Sequence, residues 1–344
     1  MKKNLRNMNI FVGKDAILRY LNPAEHAPAS LVELPTEFIF AETSFSKKDR
    51  LRIFLKMASE WATNSVKMAP VYHWFEMQKK KGNLTKDTVV VIPSSGGAGL
   101  ACVVVGRRFG VHVEVIMPKD APQTKKDLIQ LANGKPAIFS PETPGKTAVE
   151  LAKKMGKLRH HIVFRQYEDN TNTDGHKLMT IAQIWDQMEA AGIPISGIVA
   201  GTGTGGTGNA AYEFLEEREA KAVAVRIVCA EENPLPGMRA LSRLRPKQVP
   251  LFHEHQFLRE EVERRPAFRL SVSLFRNVGL KVGMTTGGAL GGLFNVLQKA
   301  KHLDPSAWGG FLNSQGERTF VVVNGDLLDL YLPQLSTVLN ADGM

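Results

Sequence analysis

Thr88-Val89-Val90-Val91-Ile92, followed at once by Pro93-Ser94-Ser95-Gly96-Gly97-Ala98-Gly99, is the stretch that decides the fold. A nearly unbroken β-branched run reads as a strand covered on both faces, the kind found in parallel sheets. The glycine-rich residues after it make a tight turn, and residues 98–109 then read as a helix. The same rhythm repeats on either side. Upstream, residues 51–57 read as a strand and 66–81 as a helix stopped by Gly82. Downstream come strand 111–117, helix 123–133, strand 136–139, helix 147–155 and strand 162–165. A polar loop at 169–175 precedes a long helix to about residue 191, then strand 197–200, helix 207–217 and strand 222–230. Residues 232–270 read as proline-rich connections carrying one charged helix, after which strand 280–284, helix 287–300 and strand 319–323 resume the pattern. Alternation of this kind predicts an α/β fold of βαβ units with mostly parallel sheets.

The length of 344 residues allows two domains. With 43% hydrophobic and 23% charged residues the chain has the balance of a globular protein, which excludes disordered and fibrous classes. No apolar run reaches the ~18 residues of a membrane span. The N-terminus is basic, but Lys14, Asp15 and Arg19 interrupt the stretch after it, so no signal peptide is expected and the cytoplasm is the expected compartment. Cys102 and Cys229 lie in apolar stretches and read as core residues, not as a disulfide or zinc site. The formal charge of +10 invites a nucleic-acid partner, but Lys47-Lys48-Asp49-Arg50, Lys79-Lys80-Lys81 and Lys125-Lys126 are short and scattered and no nucleic-acid motif accompanies them. A field that attracts small anionic substrates fits the same charge.

Three turns that enter helices have the composition of anion cradles: residues 93–99, then Gly201-Thr202-Gly203-Thr204-Gly205-Gly206-Thr207-Gly208, then Met284-Thr285-Thr286-Gly287-Gly288. Glycine lets backbone approach a ligand, hydroxyls donate, and a helix start favours negative charge. All three are expected at the carboxyl end of one sheet, where ligands of open α/β folds bind. The middle turn also fits a dinucleotide fingerprint, Gly201-x-Gly203-x-x-Gly206 with Glu231 after the next strand, so a nicotinamide dehydrogenase is an alternative. That reading leaves the other two turns without a role. Asn64-Ser65-Val66-Lys67 opens a helix, and a lysine in a first helical turn opposes the macrodipole. Such a lysine loses its proton more readily, which suits a Schiff-base amine.

Taken in order, Asn64-Ser65-Val66-Lys67, Ser94-Ser95-Gly96-Gly97-Ala98-Gly99, Gly203-Thr204-Gly205-Gly206-Thr207 and Thr285-Thr286-Gly287 resemble the motifs of the cysteine synthase (O-acetylserine sulfhydrylase) and cystathionine β-synthase family. The segments at 26–34 and 166–176 are similar to the family as well. The resemblance implies fold type II of the pyridoxal 5'-phosphate (PLP) enzymes, like the tryptophan synthase β subunit: two three-layer αβα domains with mostly parallel twisted sheets. The implied division is 1–50 as a segment crossing to the C-terminal domain, 51–165 as a smaller, mobile substrate-binding domain, and 166–344 as the phosphate-binding domain. Lys67 would carry PLP as an aldimine and shuttle the proton. Gly203, Thr204, Gly205, Gly206 and Thr207 would cradle the phosphate, Thr285 would face the pyridine nitrogen, and Gly97 would lie beside the cofactor. Ser94, Ser95, Gly96, Ala98 and Gln166 would bind the substrate.

The activity this implies is β-elimination through an aminoacrylate, then β-replacement on a serine-derived amino acid with sulfide, a thiol or an amine. A serine or threonine dehydratase-like lyase and a PLP-binding pseudoenzyme are the alternatives. Family partners would be a small amino-acid substrate and a second copy in a homodimer, with no nucleic acid and no membrane. Three departures stand out. Gly97 and Ala98 replace the family's asparagine and threonine, Met68-Ala69-Pro70 follows Lys67, and the last strand ends in Asn324-Gly325-Asp326. The chain also runs only a little past that strand, so no appended regulatory domain is expected. No His, Asp or Glu set has metal spacing, and Phe54, Trp61, Trp74, Phe75 and Trp185 read as core.

Overall fold

The computed structural model describes residues 9–94, 96–118, 121, 123–139, 148–229 and 258–332. Ser95, Glu231 and the proline-rich residues 230–257 therefore lie outside the described residues, as do the side chains of residues 136–139 and Cys229. Within the described residues the strands form two sheets. The larger joins β1 (Leu31–Glu33), β2 (Leu51–Lys56), β7 (Gly197–Gly201), β8 (Val223–Cys229), β9 (Leu258–Val262) and β10 (Arg318–Val323) in the order β1-β2-β10-β7-β8-β9. The smaller joins β3 (Val89–Pro93), β4 (His112–Pro118), β5 (Lys135–Phe139) and β6 (His161–Val163) in the order β5-β4-β3-β6. Among the described strands only the β1–β2 pairing is antiparallel. The fold is thus α/β with mostly parallel sheets.

Helices cover the sheets: α1 (Ala16–Leu21), α2 (Thr36–Glu42), α3 (Met68–Lys80), α4 (Gly97–Arg108), α5 (Gln123–Leu131), α6 (Ala148–Met155), α7 (Thr171–His176), α8 (Ala182–Ala190), α9 (Gly206–Glu216), α10 (Arg264–Val278), α11 (Met284–Leu303) and α12 (Pro305–Gly310). The central strand of the smaller sheet buries Val90, Val91 and Ile92 completely, which explains its unbroken apolar run. Trp61, Trp74 and Phe75 are core residues, with Trp74 stacked 5.0 Å from Phe164; Phe54 is buried too, while Trp185 is only half-buried. Cys102 is a free, buried thiol.

Four expectations are corrected. The strand at 51 does not open the smaller unit: β2 pairs with β10 from Leu51↔Arg318 to Lys56↔Val323, so the larger sheet claims it and the smaller sheet begins at Val89. Parallel partners lie far apart in sequence, and chain order does not reveal them. Residues 280–284 form no strand; 280–283 belong to the link between α10 and α11, with Val282 buried, and Met284 opens α11. The loop at 169–175 is helical from Thr171, because Asp169 Oδ1 accepts the Thr171 N–H at 2.9 Å, and a π turn (Lys177–Ile181) runs on into α8. In the stretch read as connections, residues 258–262 are a strand, β9. It lies at the sheet edge, where charged Arg259, Glu260 and Glu261 hide its pattern. The three glycine turns accordingly do not share one sheet. The first leaves β3, the second leaves β7, the third follows no strand, and they meet in the cleft between the two halves.

Candidate active site

The cleft encloses about 840 Å³ including its open mouth and is lined by Lys67, Ser94, Gly96, Gly97, Ala98, Gln166, Gly203, Thr204, Thr207 and Thr285, among others. Residues far apart in sequence are therefore brought together as the motifs predicted. Lys67 stands at the N-cap of α3, one residue before the helix and not inside its first turn as expected. Its backbone N–H donates to Ser65 Oγ at 3.2 Å. Behind it Met68, Ala69, Val71, Trp74 and Phe75 anchor α3 in the core, which fixes where the lysine stem starts. Nζ points at the middle turn, 3.5 Å from Thr204 Oγ1. Burial pushes the ammonium down to about 8, against the attraction of Asp326.

The middle turn rests on a buried polar scaffold. Gly205 has φ +88°, a left-handed conformation that glycine adopts without strain, and α9 starts at the next residue. Asn172 Nδ2 donates to Thr204 Oγ1 at 2.8 Å, and Thr207 Oγ1 meets His176 Nε2 at 3.3 Å. The other ring nitrogen of His176 faces Thr180 Oγ1 at 3.2 Å. Burial, and then Lys67, hold that imidazole well below its usual value, so it stays neutral. The first N–H groups of α9 have no acceptor within the helix. This combination fits a phosphate group.

On the opposite wall Ser94 Oγ accepts the N–H groups of Gly96 and Gly99 at 3.2 and 3.0 Å, at the start of α4. Gly97 is pressed against the lysine segment: a Cβ there would lie 2.8 Å from Ser65 Oγ and 3.9 Å from Lys67 Cγ. Gln166 is buried, and its Nε2 donates to the Pro93 carbonyl at 2.6 Å. Thr285 lies beside the Tyr331 hydroxyl. Neighbouring Thr286 donates to Asn324 Oδ1 at 2.8 Å, and Asn324 Nδ2 donates to Ser59 Oγ at 2.8 Å.

Sequence reasoning missed Lys125, and it noticed Asp326 only as a departure. Both line the cleft. Tyr331 donates to Asp326 Oδ2, while Oδ1 is enclosed with no hydrogen-bond partner. Burial pushes the Asp326 carboxyl up, against Lys125, the Tyr331 hydroxyl and Lys67. Lys125 carried the same signal as Lys67, a cation in a first helical turn, but its pairing with Lys126 made it look like surface charge. Among the described residues no cluster of His, Cys, Asp and Glu could hold a metal, and no helix is long and apolar enough to cross a membrane.

An ammonium of lowered basicity beside a helix-borne phosphate cradle is what an imine-forming phosphorylated cofactor requires. The residue pattern of the family described as pyridoxal-phosphate dependent enzymes matches residues 29–309. The chain belongs to this family. This PLP enzyme is similar to a probable cysteine synthase of Bacillus subtilis, 25% identical over 78% of this chain and 90% of that protein. It is also similar to a cysteine synthase of Aquifex aeolicus, 27% identical over 70% of this chain and 73% of the relative. Among solved structures, an O-ureido-L-serine synthase superposes with a TM-score of 0.72 at 17% identity, covering 91% of this chain and 92% of the other. The O-acetylserine sulfhydrylase isoform 3 of Entamoeba histolytica gives 0.71 at 19% identity, covering 89% and 87%. These superpositions establish fold type II. The cofactor of the family, PLP, fits the donors present: a buried amine, a glycine turn at a helix start, and the hydroxyls of Thr204, Thr207 and Thr285.

Proposed function

We propose that this enzyme catalyses β-elimination and β-replacement on a serine-derived amino acid, with sulfide, a thiol or an amine as nucleophile. The observation that carries the reading is the Lys67 ammonium, buried within 3.5 Å of Thr204 and facing two further anion-binding turns in one cleft. The cysteine synthase names of the relatives support it. PLP bound here supplies an imine to the substrate amine and delocalises charge from the α-carbon. Lys67 is the residue that bonds the cofactor and moves the α-proton; its lowered basicity lets it accept that proton near neutral pH. Gly203, Thr204, Gly205, Gly206 and Thr207 hold the phosphate through N–H groups and hydroxyls. Thr285 would offer a hydroxyl to the ring nitrogen of the bound cofactor, which would favour β-chemistry over reactions needing a strong electron sink. Ser94, Gly96, Ala98 and Gln166 receive the substrate, and the half built on the smaller sheet closes over it.

Purified protein is expected to absorb in the visible, to lose that band on borohydride reduction, and to yield a pyridoxyl adduct at Lys67. Addition of O-acetyl-L-serine with sulfide is expected to release cysteine and acetate. A colourless protein that PLP does not titrate refutes the cofactor role of Lys67, and pyruvate released from L-serine at equal rates with and without sulfide indicates a dehydratase instead. Gly97 and Ala98 favour one second reading, a PLP-binding protein without turnover; a spectrum unmoved by every amino acid would establish it. We also propose a homodimer, checked by light scattering for a mass near twice 37.9 kDa.

A further inference from the structure

Lys125 is the third residue of α5, on the smaller-sheet side of the cleft. A helix start repels a cation, and burying an ammonium is costly unless something pairs with it. Lys125 is nevertheless only 8% exposed; Asp326 attracts it without forming an ion pair, and among the described residues it donates no hydrogen bond. Its Nζ lies 4.9 Å from the centre of the Tyr331 ring. The stem is laid across the first glycine turn: a Cβ on Gly96 would stand 2.5 Å from Lys125 Cδ and 3.1 Å from Nζ.

Nζ thereby reaches the start of α4, a helix of 12 residues. The N–H groups of Gly97 and Ala98, in its first turn, lack acceptors within the helix. Ser94 Oγ accepts two N–H groups and keeps its own proton to donate. Gly96, Gly97 and Ala98 offer no side-chain donor, and Lys125 brings an ammonium to that part of the wall. Among the described residues, Lys125 and Asp326 are the charged side chains that line the cleft besides Lys67.

We propose that Lys125 binds the α-carboxylate of the amino-acid substrate against the start of α4, as the charged donor beside Gly96, Gly97 and Ala98, which carry no donor side chain. This rests on the function proposed above. Every α-amino acid carries this anion, so Lys125 sets a general demand for a free carboxylate and not a preference among side chains. The demand separates an amino acid from its amide.

The test measures affinities of L-serine, L-serinamide and O-phospho-L-serine for the PLP-loaded protein, by calorimetry and by spectral shift, in the natural protein and in Lys125→Met. The natural protein is expected to prefer L-serine to L-serinamide by about tenfold or more, a charge-assisted contact of ordinary strength. Lys125→Met is expected to weaken L-serine and O-phospho-L-serine by the same factor, to leave L-serinamide unchanged, and to bring the acid-to-amide ratio close to one. Lys125→Arg is expected to retain most of the preference. Thermal unfolding shows that the variants fold, and Lys125→Gln replaces the methionine variant if it does not. Unchanged affinities overturn the proposal. A loss confined to O-phospho-L-serine also overturns it, placing Lys125 on the β-substituent. A natural protein that takes up PLP but binds none of the three overturns the proposed function instead.

Discussion

Lys67 combines two demands that conflict in water: an amine must be neutral to attack a carbonyl, yet an unperturbed lysine stays protonated. Burial resolves the conflict by holding the ammonium down to about 8, with Asp326 and the neutral His176 as its titratable surroundings. A lowered value means that the neutral fraction grows as pH rises. The rate at which stripped protein recovers its visible band on addition of PLP is therefore expected to climb with pH and level off above about 8, and Lys67→Ala is expected to show no band at any pH. Gly97 is a second residue whose identity the packing dictates. A methyl group there would meet Ser65 Oγ at 2.8 Å, so Gly97→Ala is expected to cost about 1–3 kcal/mol, as overpacking does, and adding Ser65→Ala is expected to recover much of it. Chemical denaturation of the single and double variants measures both. These residues were readable in advance because their motifs are local. Lys125 was not, although it lies in a first helical turn, the position the sequence suggested for Lys67, because which lysine of a Lys-Lys pair turns inward depends on what α5 packs against.

Elements reach the site by being tied to one another. Asn324, at the end of β10, is fully buried and bridges the hydroxyl of Thr286 at the start of α11 to that of Ser59. Removing it strands two buried hydroxyls. Asn324→Ala is expected to cost about 1–3 kcal/mol, seen as a lower denaturation midpoint at unchanged slope, and to weaken PLP binding through the displaced Thr285. From sequence, Asn324-Gly325-Asp326 was visible only as a departure, since the bond partners lie on three separate elements. The misread strand at 280–284 has a related cause. An apolar link buried between two helices has the composition of a strand, and only the register of β10 with β2 and β7 shows that no place in the sheet is left for it. β9 was missed for the opposite reason, its charges suiting an edge but not a core strand.

For the whole molecule, acid is the direction of danger. His26, His73 and His176 are each held below the usual histidine value, chiefly by burial. The unfolded chain takes up protons that the folded chain refuses, so stability falls as pH drops below about 6.5. His176 is fully enclosed and alone contributes a slope of up to about 1.4 kcal/mol per pH unit there. The thermal midpoint is expected to fall between pH 7 and pH 5, and His176→Gln is expected to flatten the fall. The two-part α/β plan was legible from the alternation of strands and helices; the seam was not, because β2 belongs with β10 across most of the chain. That pairing has a consequence for synthesis. As the chain leaves a ribosome, the strands between residues 89 and 163 emerge together and can assemble their sheet, while β2, edged on one side by β1, must wait for its other neighbour, a strand beginning at Arg318. Closing that long loop waits for β10, so the pocket is finished only after β10 arrives, and until then the open side of β2 is an apolar strand edge that a chaperone would recognise.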